Sequence, residues 1–201
     1  MLELSKASEA KLYFEDIIRR NAGIKIKSIF SEPPGFSNNL GFRKYFDDMP
    51  IYIQFENDFC LVIDYQFIDA LNVEYRPLSE EEKDQFADLW VKDYFNCTVD
   101  IHSYTRDENG DFLDRVKDRT MTISLEYDML TSVEIRRVTE GYSKWIDGDL
   151  ECAVPTEETF DEIKFIMKNG NTFIVCADDA MVDGDVMAWS SEAKESIIKY
   201  C

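Results

Sequence analysis

Ile51-Tyr52-Ile53-Gln54-Phe55-Glu56-Asn57-Asp58-Phe59-Cys60-Leu61-Val62-Ile63 is the stretch on which the fold turns. Ile51, Ile53 and Phe55 alternate with Tyr52 and Gln54, the two-residue period of a strand with one buried face. Asn57-Asp58 marks a turn, and Cys60 to Ile63 return as a nearly continuous apolar strand. The same order recurs in the second half. Ile163, Phe165 and Met167 alternate, Asn169-Gly170 is a strong hairpin turn, and Phe173-Ile174-Val175 returns. Ile163 follows Ile51 by 112 residues, and Asn169, Phe173 and Ser191 follow Asn57, Leu61 and Ser79 by the same 112.

Outward from the first hairpin, Ala10, Tyr13, Phe14, Ile17 and Ile18 fall on one face of a helix expected over residues 8–21. Ser8 is its expected N-cap, Arg19 and Arg20 suit its C-terminal end, and Gly23 can stop it. Ile24, Ile26 and Ile29 predict a strand, and Pro33-Pro34-Gly35 breaks the chain. After the hairpin, Leu71, Val73 and Tyr75 predict another strand. Ser79-Glu80-Glu81-Glu82 has the form of a capping box, and the helix behind it is expected to reach about Phe95. In the second half, Val133-Glu134-Ile135 matches Ile24-Lys25-Ile26 at a spacing of 109, and Ser191-Glu192 is expected to open a C-terminal helix carrying Ile197 and Ile198. Residues 97–130 have no counterpart in the first half. They predict a long hairpin, or two strands with a short helical piece at residues 111–118. The expected class is α+β: antiparallel sheets with helices packed on one face, and an internal duplication of a strand–loop–hairpin–helix unit. One domain is expected over residues 1–201, with pseudo-repeats over 1–96 and 97–201.

The charge is lopsided, with 41 acids against 22 bases and a net charge of −19. Such a chain repels the phosphates of nucleic acid and anionic membrane surfaces. It attracts basic proteins and speeds their encounter. Solubility alone asks for a net charge of magnitude about 2–8 in a small domain. No run approaches the roughly 20 apolar residues of a membrane span, and the charged start at Met1-Leu2-Glu3 has no apolar signal region, so a cytoplasmic location is expected. The five cysteines are widely spaced and form no C-x-x-C, which suits buried thiols in a reducing compartment.

No catalytic apparatus is legible, and the chain is expected not to be an enzyme. His102, the sole histidine, sits in the alternating run Val99–Tyr104, so no second imidazole can complete a usual metal site. No nucleophile elbow and no glycine-rich phosphate loop occurs. Asp107-x-Asn109-x-Asp111 resembles the start of a calcium loop, but Phe112 stands where its glycine belongs. No metal, cofactor or small-molecule ligand is expected.

Acidic and aromatic residues do interleave, in the manner of protein interfaces with aromatic anchors and charged rims. The candidate partner-binding residues are Tyr142, Trp145, Asp147 and Asp149 in one stretch, and Asp178, Asp179, Asp183 and Asp185 in another. The strand–loop–hairpin rhythm of Ile51–Ile63 and Ile163–Val175, with the acidic charge and the lack of motifs, resembles small bacterial toxin-immunity proteins. That resemblance implies a non-enzymatic cytosolic inhibitor that covers a basic toxin domain, such as a nuclease. A structural or regulatory domain, and a carboxylate-dependent metal hydrolase, are the alternatives.

Overall fold

The computed structural model describes residues 1–31, 35–36, 44–45, 50–67, 70–87, 92–93, 95–107, 109, 112–146, 149–177 and 186–199. The first half runs β1 (Leu2–Leu4), α1 (Ala7–Arg20), β2 (Ile26–Ser31), β3 (Gly35–Phe36), β4 (Lys44–Tyr45), β5 (Ile51–Phe55), β6 (Phe59–Phe67), β7 (Ala70–Pro77), α2 (Glu80–Ala87) and β8 (Lys92–Asp93). The second half runs β9 (Cys97–Arg106), β10 (Phe112–Ser124), β11 (Leu130–Arg137), β12 (Tyr142–Ile146), β13 (Asp149–Ala153), β14 (Phe160–Met167), β15 (Thr172–Ala177), β16 (Val186–Trp189) and β17 (Lys194–Lys199). Strands make up 51% of the chain, so the fold is more sheet-rich than the expected α+β class.

One six-stranded sheet has the order β1-β7-β6-β5-β2-β8, and a second has β11-β14-β15-β16-β4-β3. A three-stranded sheet, β17-β10-β9, and the hairpin β12-β13 complete the pairing, all of it antiparallel. The alternation of the sequence explains the layers. Ile51, Ile53, Phe55, Leu61, Ile63, Leu71 and Val73 of the first sheet are buried with Val133, Ile163, Phe165, Phe173 and Val175 of the second. Ala7, Ala10, Phe14 and Ile17 of α1 join the same apolar cluster. The two helices do not share a face. α1 packs against this shared core, whereas α2 is held to the outer side of the first sheet, where Arg76 of β7 grips Glu82.

The two hairpins repeat each other in detail. Ile51 faces Ile63 as Ile163 faces Val175, and Ile53 faces Leu61 as Phe165 faces Phe173. The amides of Asp58 and Gly170 donate to Phe55 O and Met167 O, each at 3.0 Å. The amides of Phe59 and Asn171 donate to the side-chain oxygens of Asn57 and Asn169, at 3.2 and 3.0 Å. Asp58 and Gly170 both have positive φ, 62° and 88°. The preceding strands also correspond, but at a spacing of 104 and not the expected 109. Ile26 pairs with Phe55 as Leu130 pairs with Met167, and Ile29 with Ile53 as Val133 with Phe165. Each strand carries a register shift in between, before Ser28 and before Ser132. Lys25 and Met129, which correspond at the same spacing, meet in an antiparallel bridge between the halves. The left-handed turn position gives a test. Nothing lies within 4 Å of a Cβ built on Gly170, so its substitution meets only backbone strain. Gly170→Ala should cost about 1 kcal/mol, while Asp58→Gly should be neutral or gain up to about 1 kcal/mol. Urea unfolding of both variants decides, and a loss in Asp58→Gly as large as in Gly170→Ala would contradict the equivalence of the turns.

Several expectations are corrected. The C-terminal helix is instead β17, because Lys194–Lys199 pairs along Ser124–Arg119 of β10, and so short a segment gains more from a sheet edge than from an isolated helix. The helix expected to reach Phe95 ends at Ala87, and Lys92-Asp93 pairs with Ser31 and Phe30 of β2. The helical piece at 111–118 is strand from Phe112 onward, paired with β9, which leaves the long hairpin. β3 and β4, from the first half, join the second sheet through Lys44 and Ala188. The N-cap of α1 is Lys6, not Ser8, and Lys6 contributes no side-chain cap. Glu158 supplies it, accepting from the Ser8 amide at 2.8 Å, and its carbonyl accepts from the Ala7 amide at 2.8 Å. The hydrogen bond from Ser8 holds the Glu158 carboxyl below its usual range. The helix is thus capped by a residue 150 positions away.

Candidate protein-binding surface

The described side chains divide into buried polar ties and a charged exterior. Asn21, buried behind α1, donates to Ile17 O at 2.9 Å and accepts from the Tyr75 hydroxyl at 3.0 Å and from Asn57 Nδ2 at 3.3 Å. It ties the helix end to β7 and to the first hairpin turn. Asp93 Oδ1 accepts from the Tyr127 hydroxyl at 2.6 Å and from the amides of Phe95 and Asn96 at 3.2 and 3.1 Å. Asn96 exchanges two bonds of 3.1 Å with the Leu125 backbone. Burial pushes the Asp93 carboxyl up, against those bonds, and burial beside Asp93 pushes the Tyr127 phenol well up. Asn96 thereby joins the residue before β9 to the residue after β10, and Asp93 joins β8 to Tyr127. Cys60 is buried and its thiol is raised by desolvation, which makes it a poor nucleophile. No group of three His, Cys, Asp or Glu side chains among the described residues could hold a metal ion.

On the exterior, every described Lys or Arg side chain except Lys168 has a carboxylate within 3.9 Å. Among the well-exposed cations Arg136 is doubly held, its guanidinium donating to both oxygens of Asp161 at 3.2 and 2.8 Å. Each such exposed pair is worth little in stability. Collectively they consume positive charge. Glu3, Glu56, Glu81, Glu126, Glu140 and Glu157 are exposed and, among the described residues, take part in no ion pair. Glu140 and Glu157 lie just beyond Val138 and Thr159, which are joined by a 2.9 Å backbone bond past the end of β11.

The sequence-predicted site residues are distributed as follows. Tyr142 and Trp145 are on β12 and Asp149 is on β13, with Trp145 facing Leu150 and Ile146 facing Asp149. The stretch expected as a contact loop is therefore two paired strands. Asp147, Asp178, Asp179, Asp183 and Asp185 lie outside the described residues.

A feature that no local pattern announced lies between α1 and β11. Ala7, Ser8, Lys11, Leu12 and Glu15 of the helix and Val133, Glu134, Ile135 and Arg137 of the strand line an open groove. Leu12 is 68% exposed at its rim. The only sequence signal for it is Leu12 itself, an apolar residue off the buried face of α1. Among the described residues no helix is long and apolar enough to cross a membrane. No protein-family model, no curated protein and no solved structure matches this chain.

Proposed function

We propose that this chain is an acidic, non-enzymatic protein-binding protein, an inhibitor of the immunity type that neutralises a basic toxin domain such as a nuclease in the cytoplasm. The observation that carries this reading is the uncompensated charge: net −19, with the described cations almost all engaged in internal pairs while exposed glutamates stay unpaired. Such a surface steers a basic partner by long-range attraction and opposes close approach of a second copy. We also infer that residues 1–201 fold as one domain whose two hairpin sheets arose by duplication of a strand–loop–hairpin unit. Their equal hairpin registers and matched turn hydrogen bonds support that inference.

The test of function is affinity capture from the source cell and from proteins encoded beside this chain. One basic protein at one-to-one ratio, toxic when expressed alone, is the expected result. Recovery of nothing, or of the chain itself, would refute the reading. With the partner in hand, Trp145→Ala should weaken binding by more than about 2 kcal/mol while leaving the melting temperature in place. Unchanged affinity would remove the β12–β13 hairpin from the contact surface.

A further inference from the structure

β2 and β11 occupy corresponding places in their sheets, each next to a hairpin of the same register and each with a register shift before a serine. Their outer edges differ. Phe30 and Ser31 of β2 pair with Asp93 and Lys92 of β8, a short antiparallel strand. The corresponding residues of β11, at the spacing of 104, are Glu134 and Ile135. Among the described residues β11 pairs only with β14, and it ends its sheet. Glu134 and Ile135 line the groove against α1, with exposed Leu12 across from them. The fold therefore carries its own picture of what fits this edge.

We propose that the open edge of β11 receives an extended basic segment of the partner as an added antiparallel strand, in the place that β8 takes on β2. This rests on the reading of the chain as a binder of a basic protein. An edge strand offers backbone donors and acceptors in register, and pockets beside it select alternate side chains of the incoming segment. The groove supplies an apolar seat from Leu12, Val133 and Ile135. Glu140 and Glu157, without ion pairs, stand beyond the C-terminal end of the same strand. A second copy of this chain is disfavoured as occupant, because two bodies of net charge −19 repel.

The probe is a short fluorescent peptide of alternating lysine and valine, titrated against the full chain by anisotropy, with hydrogen exchange read over residues 130–137. Binding with new amide protection in β11 is expected. Leu12→Gln, an exposed substitution that should fold normally, should weaken it about tenfold. A peptide N-methylated at alternate amides should lose about tenfold as well, since main-chain bonds carry the affinity in strand addition. Glu80→Gln, at an exposed glutamate of α2 already paired with Lys83, should change little. Equal affinity for the methylated peptide, or for Leu12→Gln, would overturn the edge and leave the basic-partner reading standing. Equal binding of a glutamate–valine peptide at β11 would overturn the basic occupant and with it the proposed function.

Discussion

Phe165→Ala should lower the stability of the whole chain by about 3–5 kcal/mol. Phe165 is fully buried where three elements meet. Its ring meets Phe14 of α1 edge-on, with centroids 5.4 Å apart at 85°, and stacks on Phe173 of β15 at 4.9 Å and 17°. Phe173 in turn contacts Phe95 at 6.1 Å, at the start of the β9 segment. Truncation removes the transfer energy of a large ring and leaves a cavity that three packed elements cannot collapse to fill. The melting temperature should fall by about 10 °C or more, in a single transition by calorimetry and by tryptophan fluorescence. One transition follows because the buried cluster draws on both six-stranded sheets and α1 together. Separate melting of the two sheets would refute the single-domain reading.

Glu82→Gln should remove much of the acid sensitivity of the fold. Arg76 forks onto Glu82, with Nη1 at 2.6 Å and Nη2 at 2.5 Å from its two oxygens. The reciprocal bonds of the capping box add to this: the Ser79 amide donates to Glu82 at 3.0 Å, and the Glu82 amide donates to Ser79 Oγ at 3.2 Å. The hydrogen bonds from Arg76 chiefly, opposed by burial and aided by Ser79, hold the Glu82 carboxyl down at about 2. Its unfolded value lies near 4.5, so the stabilisation is complete above that pH and is lost as pH falls from about 4.5 toward 2. The shift corresponds to at most about 3 kcal/mol, trimmed to about 2 kcal/mol by solvent screening at the half-open rim beside Arg76. Asp93 and Glu162, raised by burial, act in the opposite sense and gain as pH falls. Unfolding by urea at pH 7 and at pH 3 separates these effects. The wild type should lose about 1 kcal/mol more than Glu82→Gln over that interval, and parallel losses would contradict the role of the Arg76–Glu82 fork.

Local rules made part of this fold legible. The hairpins were readable because strict alternation and an Asn-led turn leave few other solutions. The capping box at Ser79–Glu82 was readable because it lies wholly within four residues. On α1, the expected face holds: Ala10, Phe14 and Ile17 are buried, and Tyr13 and Ile18 pack against them. What escaped is what distant partners decide. Lys92–Asp93 and Lys194–Lys199 are strands because β2 and β10 present edges to them, and neither segment has a strand pattern of its own. Glu158 caps α1 from another part of the chain, a contact that no pattern near residue 8 encodes. The bulges before Ser28 and Ser132 shift the register, which hid the spacing of 104 between corresponding strands. Of the candidate site, Tyr142, Trp145 and Asp149 fall on one hairpin, and the groove beside β11 was invisible because it forms only when α1 meets a strand more than a hundred residues away.

The most direct test of the central claim is the association rate of the captured partner as a function of ionic strength. An acidic surface that steers a basic partner predicts a fall of at least about tenfold between low and physiological salt, with dissociation nearly unchanged. A rate that ignores salt would contradict a role for the charge in recognition.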